Sequence, residues 1–420
     1  MTNEAGSVPT KSRRRRPPRS SLPEPGVRRW SALTLLSLAL ILAMSTWFSA
    51  SAVIPQLRTE WELSSGAAAW LTIAVQLGFV AGALVSSVGN LSDLVSPRLI
   101  IFLGALGASA ANAGLLLAES AAEAIAPRAL TGFFLAGVYP PALKLMATWF
   151  QKGRGLALGI LVGALTVGSA LPHLVNGLGG LEWRVTVVAT SSLTIAGGVV
   201  GWSVREGPWP FPSAVFDPRQ AGQVLSNRGV RLASLGYFGH MWELYAMWAW
   251  FALFFAQAAA RGGNPSSATA YATFAVIGIG GVGCVVGGVI GDRWGRARTT
   301  SLMMVLSGTC AVLIGLLFEA PTWLVLLIGL VWGFAVVADS AQFSTLVTEL
   351  ADQAYVGTAL TLQLALGFTL TVATIWLIPV LVEAVSWRWA FAFLAPGPAL
   401  GVLAMRRLAI LQQDSLQQDT

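Results

Sequence analysis

The sequence is poor in the residues on which many soluble enzymes depend. It has 2 cysteines, 2 histidines and only 11% charged residues in 420 positions. Cys284 and Cys310 fall in apolar segments, where they suit small core residues better than a disulfide framework or a metal site. The histidines are far apart, and no Walker-type phosphate loop, nucleophile elbow or zinc-ligand cluster occurs. These absences argue against an enzyme or an ATP-driven pump, and no cofactor is expected.

Apolar residues make up 55% of the chain, with 45 glycines and 17 tryptophans, and the mean hydropathy is +0.69. A helix needs roughly 20 apolar residues to cross a bilayer, and polar breaks divide the sequence into twelve segments of about that length. They are Trp30–Ile54, Ala67–Val88, Arg98–Ala118, Ala124–Met146, Leu156–Val175, Arg184–Val204, Val230–Phe255, Thr269–Ile290, Thr300–Phe318, Trp323–Thr345, Val356–Val380 and Trp389–Met405. The prediction is an all-α membrane protein with twelve transmembrane helices.

The domain boundaries follow from the polar stretches. We expect a disordered basic tail at 1–29, a six-helix bundle at 30–204, a proline-rich linker at 205–228, a second six-helix bundle at 229–407 and a short tail at 408–420. The two bundles are expected to be pseudo-symmetric and to enclose a cavity that solvent can reach.

Basic residues predict the orientation, because they favour cytoplasmic loops. If the N-terminus is inside, nearly all basic loop residues are cytoplasmic, and the exceptions are Arg58, Arg184, Arg261 and Arg388. Spread over loops in this way, the net charge of +7 suits topology better than nucleic-acid binding. We predict a multi-pass protein of the cell inner membrane, a monomer in the bilayer, with both termini cytoplasmic.

An internal repeat supports two fused units. An offset of 204 residues superposes Trp183-Arg184 on Trp387-Arg388, and two polar loops align at an offset near 199. Six spans repeated in the same orientation leave a cavity between two bundles, a geometry typical of transporters.

The two loops carry a specific motif. The second, Gly288-x-x-x-Asp292-Arg293-x-Gly295-Arg296-x-Arg298, is complete, whereas the first keeps only Gly89, Asp93 and Arg98. Between two spans this pattern resembles the cytoplasmic signature of the major facilitator superfamily. The resemblance implies a transporter in which the loop residues hold the cytoplasmic side closed and part on each cycle. In the first loop, simple topology charge is the alternative interpretation.

Arg128 begins the segment Arg128-x-x-x-Gly132, which is similar to the fourth-helix signature of the same superfamily. Charges within a membrane are costly and often functional. The residue is therefore a candidate for binding an anionic substrate or for coupling to protons, and an anchor to backbone carbonyls is the structural alternative. The region from Arg128 to Phe150 also looks distantly like members of the nitrate and cyanate type, although spans two and eight lack the arginines that grip nitrate.

In the seventh span, Tyr237, His240 and Glu243 recur at helical spacing and should share a face that looks into the cavity. Histidine titrates near neutral pH, and low dielectric favours a protonated carboxyl group. The pair could carry a proton, or it could form a polar cluster that joins helices.

Asp339 in span ten and Lys144 in span four lie at similar depth, so an inner gate between them is one hypothesis; a lysine that reaches the headgroups is the other. Gln363 in span eleven is a weaker candidate for lining the cavity.

The function predicted from these features is secondary active transport by alternating access. Proton-coupled uptake of a small, possibly anionic molecule is favoured, with protons and the lipid bilayer as the other partners. Multidrug or metabolite efflux is the first alternative, and a non-transporting membrane sensor or assembly factor on the same fold is the second.

Overall fold

The structure is a computed structural model that describes residues 25–150, 153–180, 182–209, 217–261, 266–352 and 355–418. Most of the predicted N-terminal tail and the centre of the predicted linker, 210–216, lie outside these ranges. The described residues form a nearly all-helical bundle, as the sequence predicted.

The N-terminal half contains ten helices among the described residues. They are α1 Pro25–Ala43, α2 Ser49–Ala52, α3 Ile54–Glu60, α4 Ser65–Val88, α5 Leu91–Leu94, α6 Pro97–Ala113, α7 Ala121–Leu135, α8 Tyr139–Ala147, α9 Arg154–Leu178 and α10 Trp183–Ser203.

The remainder of the described chain contains ten more. They are α11 Ala221–Ser226, α12 Arg228–Ala260, α13 Ser266–Gly278, α14 Gly280–Trp294, α15 Arg296–Leu316, α16 Thr322–Ala338, α17 Ser340–Leu350, α18 Val356–Val385, α19 Trp387–Ala390 and α20 Pro396–Gln418.

Eleven helical segments of the described chain are long and apolar enough to cross a membrane. The predicted seventh span is not among these, although α12 is a helix of 33 residues. Its tryptophans and tyrosines, together with His240 and Glu243, lower the mean hydropathy of this helix. Adding α12 to the eleven gives the twelve spans that the sequence predicted.

Several predicted spans are interrupted, which the sequence analysis did not foresee. The first span breaks after Ala43 into a short 3-10 turn before α2, and the fourth breaks between α7 and α8. Pro140 and Pro141 stand in the first turn of α8, where the missing N–H groups cost no helical hydrogen bond. The tenth span breaks at Asp339, between α16 and α17.

The ends of the bundle also differ from the predicted boundaries. Helix α1 begins at Pro25, inside the predicted tail 1–29, and α20 continues to Gln418, through most of the predicted tail 408–420. Polar residues at the end of a helix lower the hydropathy without ending the helix. Hydropathy alone therefore predicts helices that are too short at these two ends.

The two halves meet along two seams. Helix α9 packs on α13 and α14, and α4 packs on α18. Glycines make the first seam close: a Cβ atom at Gly163 would lie 2.8 Å from the carbonyl oxygen of Gly281. Small residues at such crossings let helix backbones approach each other.

Candidate functional site

Arg128 is completely buried and bound by the protein itself. Its Nη1 donates to the carbonyl oxygen of Thr46 at 3.0 Å and to the Ser49 hydroxyl at 3.0 Å, and its Nη2 donates to the carbonyl oxygen of Trp47. Its Nε donates to the Leu71 carbonyl oxygen at 3.2 Å. The guanidinium therefore satisfies the carbonyl groups that the break after α1 releases from helical hydrogen bonding.

A neutral network surrounds this arginine. Asn112 accepts from Arg128 at 3.1 Å and from Ser49 at 2.5 Å, and its amide nitrogen donates to Ser191 at 3.0 Å. These contacts join α2, α6, α7 and α10. Among the described residues, the groups around this cation are thus hydroxyl, amide and backbone carbonyl groups.

Glu243 is the corresponding buried charge of the C-terminal half, with 1% of its surface exposed. One carboxylate oxygen accepts from the Ser307 hydroxyl at 2.8 Å, and the other accepts from the Trp332 indole at 2.6 Å. Both partners are neutral and belong to the same half. The carboxyl group is thus held in a fixed orientation without a salt bridge among the described residues.

His240 and Asp339 form a second buried pair one turn away. Nδ1 of His240 lies 2.9 Å from Oδ1 of Asp339, and both side chains are almost fully buried. The approach is not aligned as a hydrogen bond, and His240 Nε2 also lacks a hydrogen-bond partner in the described structure. Each residue of the pair therefore keeps an unused hydrogen-bonding position.

The centre between the halves is filled with aromatic rings. Neighbouring ring centroids are 4.7 to 6.2 Å apart. This central aromatic layer comprises Trp47, Phe48, Phe79, Tyr245, Trp248 and Phe368, all buried. The expected solvent-reachable hollow is absent at this level in the described conformation, because both halves insert large side chains there.

Three polar side chains at this layer have no hydrogen-bond partner in the described structure. They are the indole nitrogens of Trp47 and Trp248 and both ends of the Gln76 amide. Gln76 lies one turn from Phe79 on α4, so the two share a face of the helix. Buried polar groups are normally paired, and these three are consequently candidates for contact with a bound molecule or water.

Glu243 and Tyr245 point in different directions. Two residues apart on α12, they are about 200° apart around the helix axis. Tyr245 stacks on Trp47 and Phe48 of the other half, whereas Glu243 bonds within its own half. The expected cavity-facing surface therefore does not extend to Glu243.

Tyr237 and Gln363, two further candidates from the sequence, are both buried. The Tyr237 ring lies 6.1 Å from the His240 ring and packs on Phe343 and Gly367. Gln363 is buried on α18, and its amide nitrogen has no partner in the described structure.

The complete loop motif forms an ionic cluster at the predicted cytoplasmic end. Arg296 lies 3.3 Å from Asp292 and 2.9 Å from Glu349, and it donates to Gln342 at 2.9 Å. Gly295 has a φ of 91°, a conformation that favours glycine. Gly288 lies against the start of α9, while Arg293 and Arg298 are exposed.

The first loop is built differently. Ser96 stands where the second loop has Gly295 and has an ordinary φ of −57°, while Asn90 takes the left-handed conformation instead. Gly89 ends α4, and the Arg98 guanidinium lies 5.2 Å from the Trp202 ring centroid. The side chain of Asp93 lies outside the described part of the structure.

Lys144 is half-buried near the end of α8. The structure brings Asp339 to His240, and the gate between Lys144 and Asp339 stays a prediction.

Sequence reasoning missed several buried polar side chains. Gln76 and the α9 stripe of Thr166, Ser169, His173 and Asn176 are buried. A search for neutral polar residues three or four positions apart within spans would have found the α9 stripe.

Comparison with known proteins decides the family. The family model described as Major Facilitator Superfamily matches residues 36–375. The chain belongs to the Major Facilitator Superfamily. This is a family of transporters rather than enzymes, as the loop motif implied.

Two similar proteins have names that describe transporters. The chain is 29% identical over 196 residues to the multidrug efflux pump LfrA of Mycolicibacterium smegmatis. The aligned residues cover 46% of this chain and 38% of the pump. It is 24% identical over 351 residues to MFS-type transporter 1 of an Ophiocordyceps species. This match covers 80% of this chain and 75% of that transporter. The matched part thus spans less than half of the length of the efflux pump.

A solved structure supports the fold over nearly the whole chain. The crystal structure of a D-xylose-proton symporter superposes with a TM-score of 0.70 and 18% identity, covering 90% of this chain and 97% of the symporter. At that identity the likeness establishes the fold alone.

Proposed function

We propose that this protein is a secondary active transporter of a small molecule that works by alternating access and is coupled to protons. The site for the solute is the central aromatic layer, and the proton-carrying groups are Glu243 and the pair His240 and Asp339. In this proposal the protein is a monomer of the cell inner membrane with both termini in the cytoplasm.

One observation carries the proton coupling. Glu243 is buried in the C-terminal half between two neutral donors, Ser307 and Trp332. A carboxyl group in this position can be neutral or charged without breaking a salt bridge, so protonation can follow the access of water. Intramembrane ionisable residues with this arrangement are typical of proton relays.

The aromatic layer favours export. Apolar compounds enter cells by dissolving in the bilayer and need no importer, whereas their removal requires a pump. The name of the multidrug efflux pump among the relatives agrees with this direction. The uptake favoured by the sequence depended on an anionic solute bound by Arg128, and that guanidinium is already occupied by protein acceptors.

The test uses purified protein in liposomes that contain a pH-sensitive dye, with the membrane potential clamped by potassium and valinomycin. Nitrate, D-xylose, ethidium and 7-methoxycoumarin are added in turn. Passive diffusion of these probes carries no proton, so a change of internal pH reports coupled transport. We expect at least one probe to move protons, and we expect Glu243→Gln to lower that rate by roughly 100-fold, the scale of an essential proton-transfer group.

Glu319→Gln is the matched control, because Glu319 is an exposed acidic residue at the predicted outer face. It should leave the rate unchanged. If no probe moves protons, coupled transport of these classes is wrong; if Glu243→Gln moves them as fast as the wild type, the role of Glu243 is wrong.

A further inference from the structure

We infer that the central site takes an uncharged, flat aromatic molecule that carries hydrogen-bond acceptors such as carbonyl or ether oxygens. The inference rests on the proposed function, since it assigns a substrate class to the site proposed there. It depends on the rings of the central aromatic layer, on its unpartnered donors and on the engagement of Arg128 and Glu243 with other groups.

The rings define the shape of the molecule. Trp47 and Phe79 from the N-terminal half meet Tyr245 and Phe368 from the C-terminal half, with centroids 4.7 to 5.9 Å apart. Stacked and edge-on ring pairs are favourable at such distances. When the halves separate, each keeps aromatic faces that a flat molecule can cover in place of the opposing half.

The unpartnered groups define its polarity. The indole nitrogens of Trp47 and Trp248 are buried donors without a partner in the described structure, and indole can only donate. The Gln76 amide nearby is also unpartnered and can donate or accept. Leaving a buried donor unpaired is unfavourable, so a molecule with matching acceptors should bind more tightly than one without them.

Neither Arg128 nor Glu243 is available to an ionic molecule at this layer. Arg128 is bound to backbone carbonyl oxygens, and Glu243 is on the opposite side of α12 from Tyr245. An anionic molecule would therefore lack the Arg128 guanidinium as a cationic partner. An aromatic cation would gain from the ring faces but would leave the indole N–H groups unpaired.

The experiment measures binding to the purified protein in detergent by calorimetry, without a pH gradient. The probes are 7-methoxycoumarin, which is neutral with acceptors, its 3-carboxylate, N-methylquinolinium and naphthalene, which has no acceptor. We expect 7-methoxycoumarin to bind at least about 10-fold more tightly than the other three. We expect Trp248→Phe and Trp47→Phe each to weaken its binding about 3- to 10-fold, the effect of one hydrogen bond, and to leave naphthalene binding unchanged.

Trp250→Phe is the matched control. Trp250 is also buried on α12, but its indole already donates to the carbonyl oxygen of Ile375 at 2.9 Å and is not part of the aromatic layer. This variant should bind both neutral probes as the wild type does. Gln76→Met offers a second test of the polar contact if a tryptophan variant does not fold, and it should weaken 7-methoxycoumarin binding in the same way.

Tighter binding of either charged probe, or equal effects of Trp248→Phe and Trp250→Phe, would overturn the inference. Failure to bind 7-methoxycoumarin while another probe drives proton movement in liposomes would overturn the substrate class alone. Binding of 7-methoxycoumarin without proton movement by any probe would instead overturn the proposed coupling.

Discussion

The two halves of this protein share a frame but differ in their buried polar chemistry. In the N-terminal half, one arginine is saturated by carbonyl, hydroxyl and amide oxygens. In the C-terminal half, Glu243, His240 and Asp339 are buried with neutral or incompletely bonded partners. The comparison indicates that the N-terminal charge holds a broken helix in place, whereas the C-terminal groups are the ones for which we propose proton exchange.

The frame itself is repeated at the predicted outer face. The Trp183 indole donates to Glu60 at 2.6 Å, and the Trp387 indole donates to Gln257 at 2.8 Å. Each contact ties the first helical region of a half to its last. In both copies of the repeat at offset 204, a tryptophan therefore joins the first and last helical regions of its half. Its partner is an acid in the N-terminal half and an amide in the C-terminal half.

The largest expected effect tests the role of the N-terminal charge. Arg128→Met should lower the free energy of unfolding by about 3 kcal/mol or more, because several buried carbonyl groups lose a charged donor. Arg128→Lys should lower it almost as much, since one ammonium group cannot reproduce the planar fork. Glu243→Gln should change it by less than about 1 kcal/mol, because an amide keeps the contacts with Trp332 and Ser307. Thermal unfolding in detergent measures all three, and a stable Arg128→Met variant would break the comparison.

A smaller effect is expected for the pair in the C-terminal half. His240→Gln and Asp339→Asn should each slow proton movement in liposomes about 10-fold, and the double variant should be no slower than the worse single variant, because residues in contact act as one unit. The readout is the rate of internal pH change for whichever probe the wild type moves. Multiplicative losses in the double variant would show that the two residues act independently.

The smallest effect concerns the outer tryptophans. The hydrogen bond from Trp183 and the nearby Arg184 lower the pKa of Glu60, against a smaller opposing effect of burial. The ionised carboxylate thus stabilises the fold at neutral pH, and this contribution is lost as the pH falls through the lowered pKa. Trp183→Phe should destabilise the protein modestly at pH 6, and it should lose less further stability than the wild type when the pH falls below roughly 4.

Trp387→Phe is the matched comparison, because Gln257 does not titrate. It should show the same acid-induced loss as the wild type in thermal unfolding. An equal acid response in all three proteins would mean that Glu60 contributes nothing to stability through this contact.

Much of the frame could be predicted from sequence because hydropathy and repeat offset are properties of long segments. The all-helical membrane fold, eleven of the apolar spans and the family implied by the loop motif follow from such signals. The interruption at Asp339 and the break after Ala43 could not be predicted, because these local changes of backbone direction occur within segments that remain apolar.

The site was less predictable for a different reason. Charged residues within spans are conspicuous, so Arg128, His240, Glu243 and Asp339 were found, but their partners depend on which helices are neighbours. The contact of Asp339 with His240 requires α12 to lie beside the break between α16 and α17. Trp248, by contrast, resembles an ordinary core residue until packing shows that its indole nitrogen lacks a partner.

The central aromatic layer also bears on what does not cross the protein. Six rings in contact fill the centre between the halves at this level, and protons travel rapidly only along continuous files of water. An idle molecule in this conformation should consequently conduct few protons, so that the gradient invoked in the proposed coupling would be preserved between turnovers.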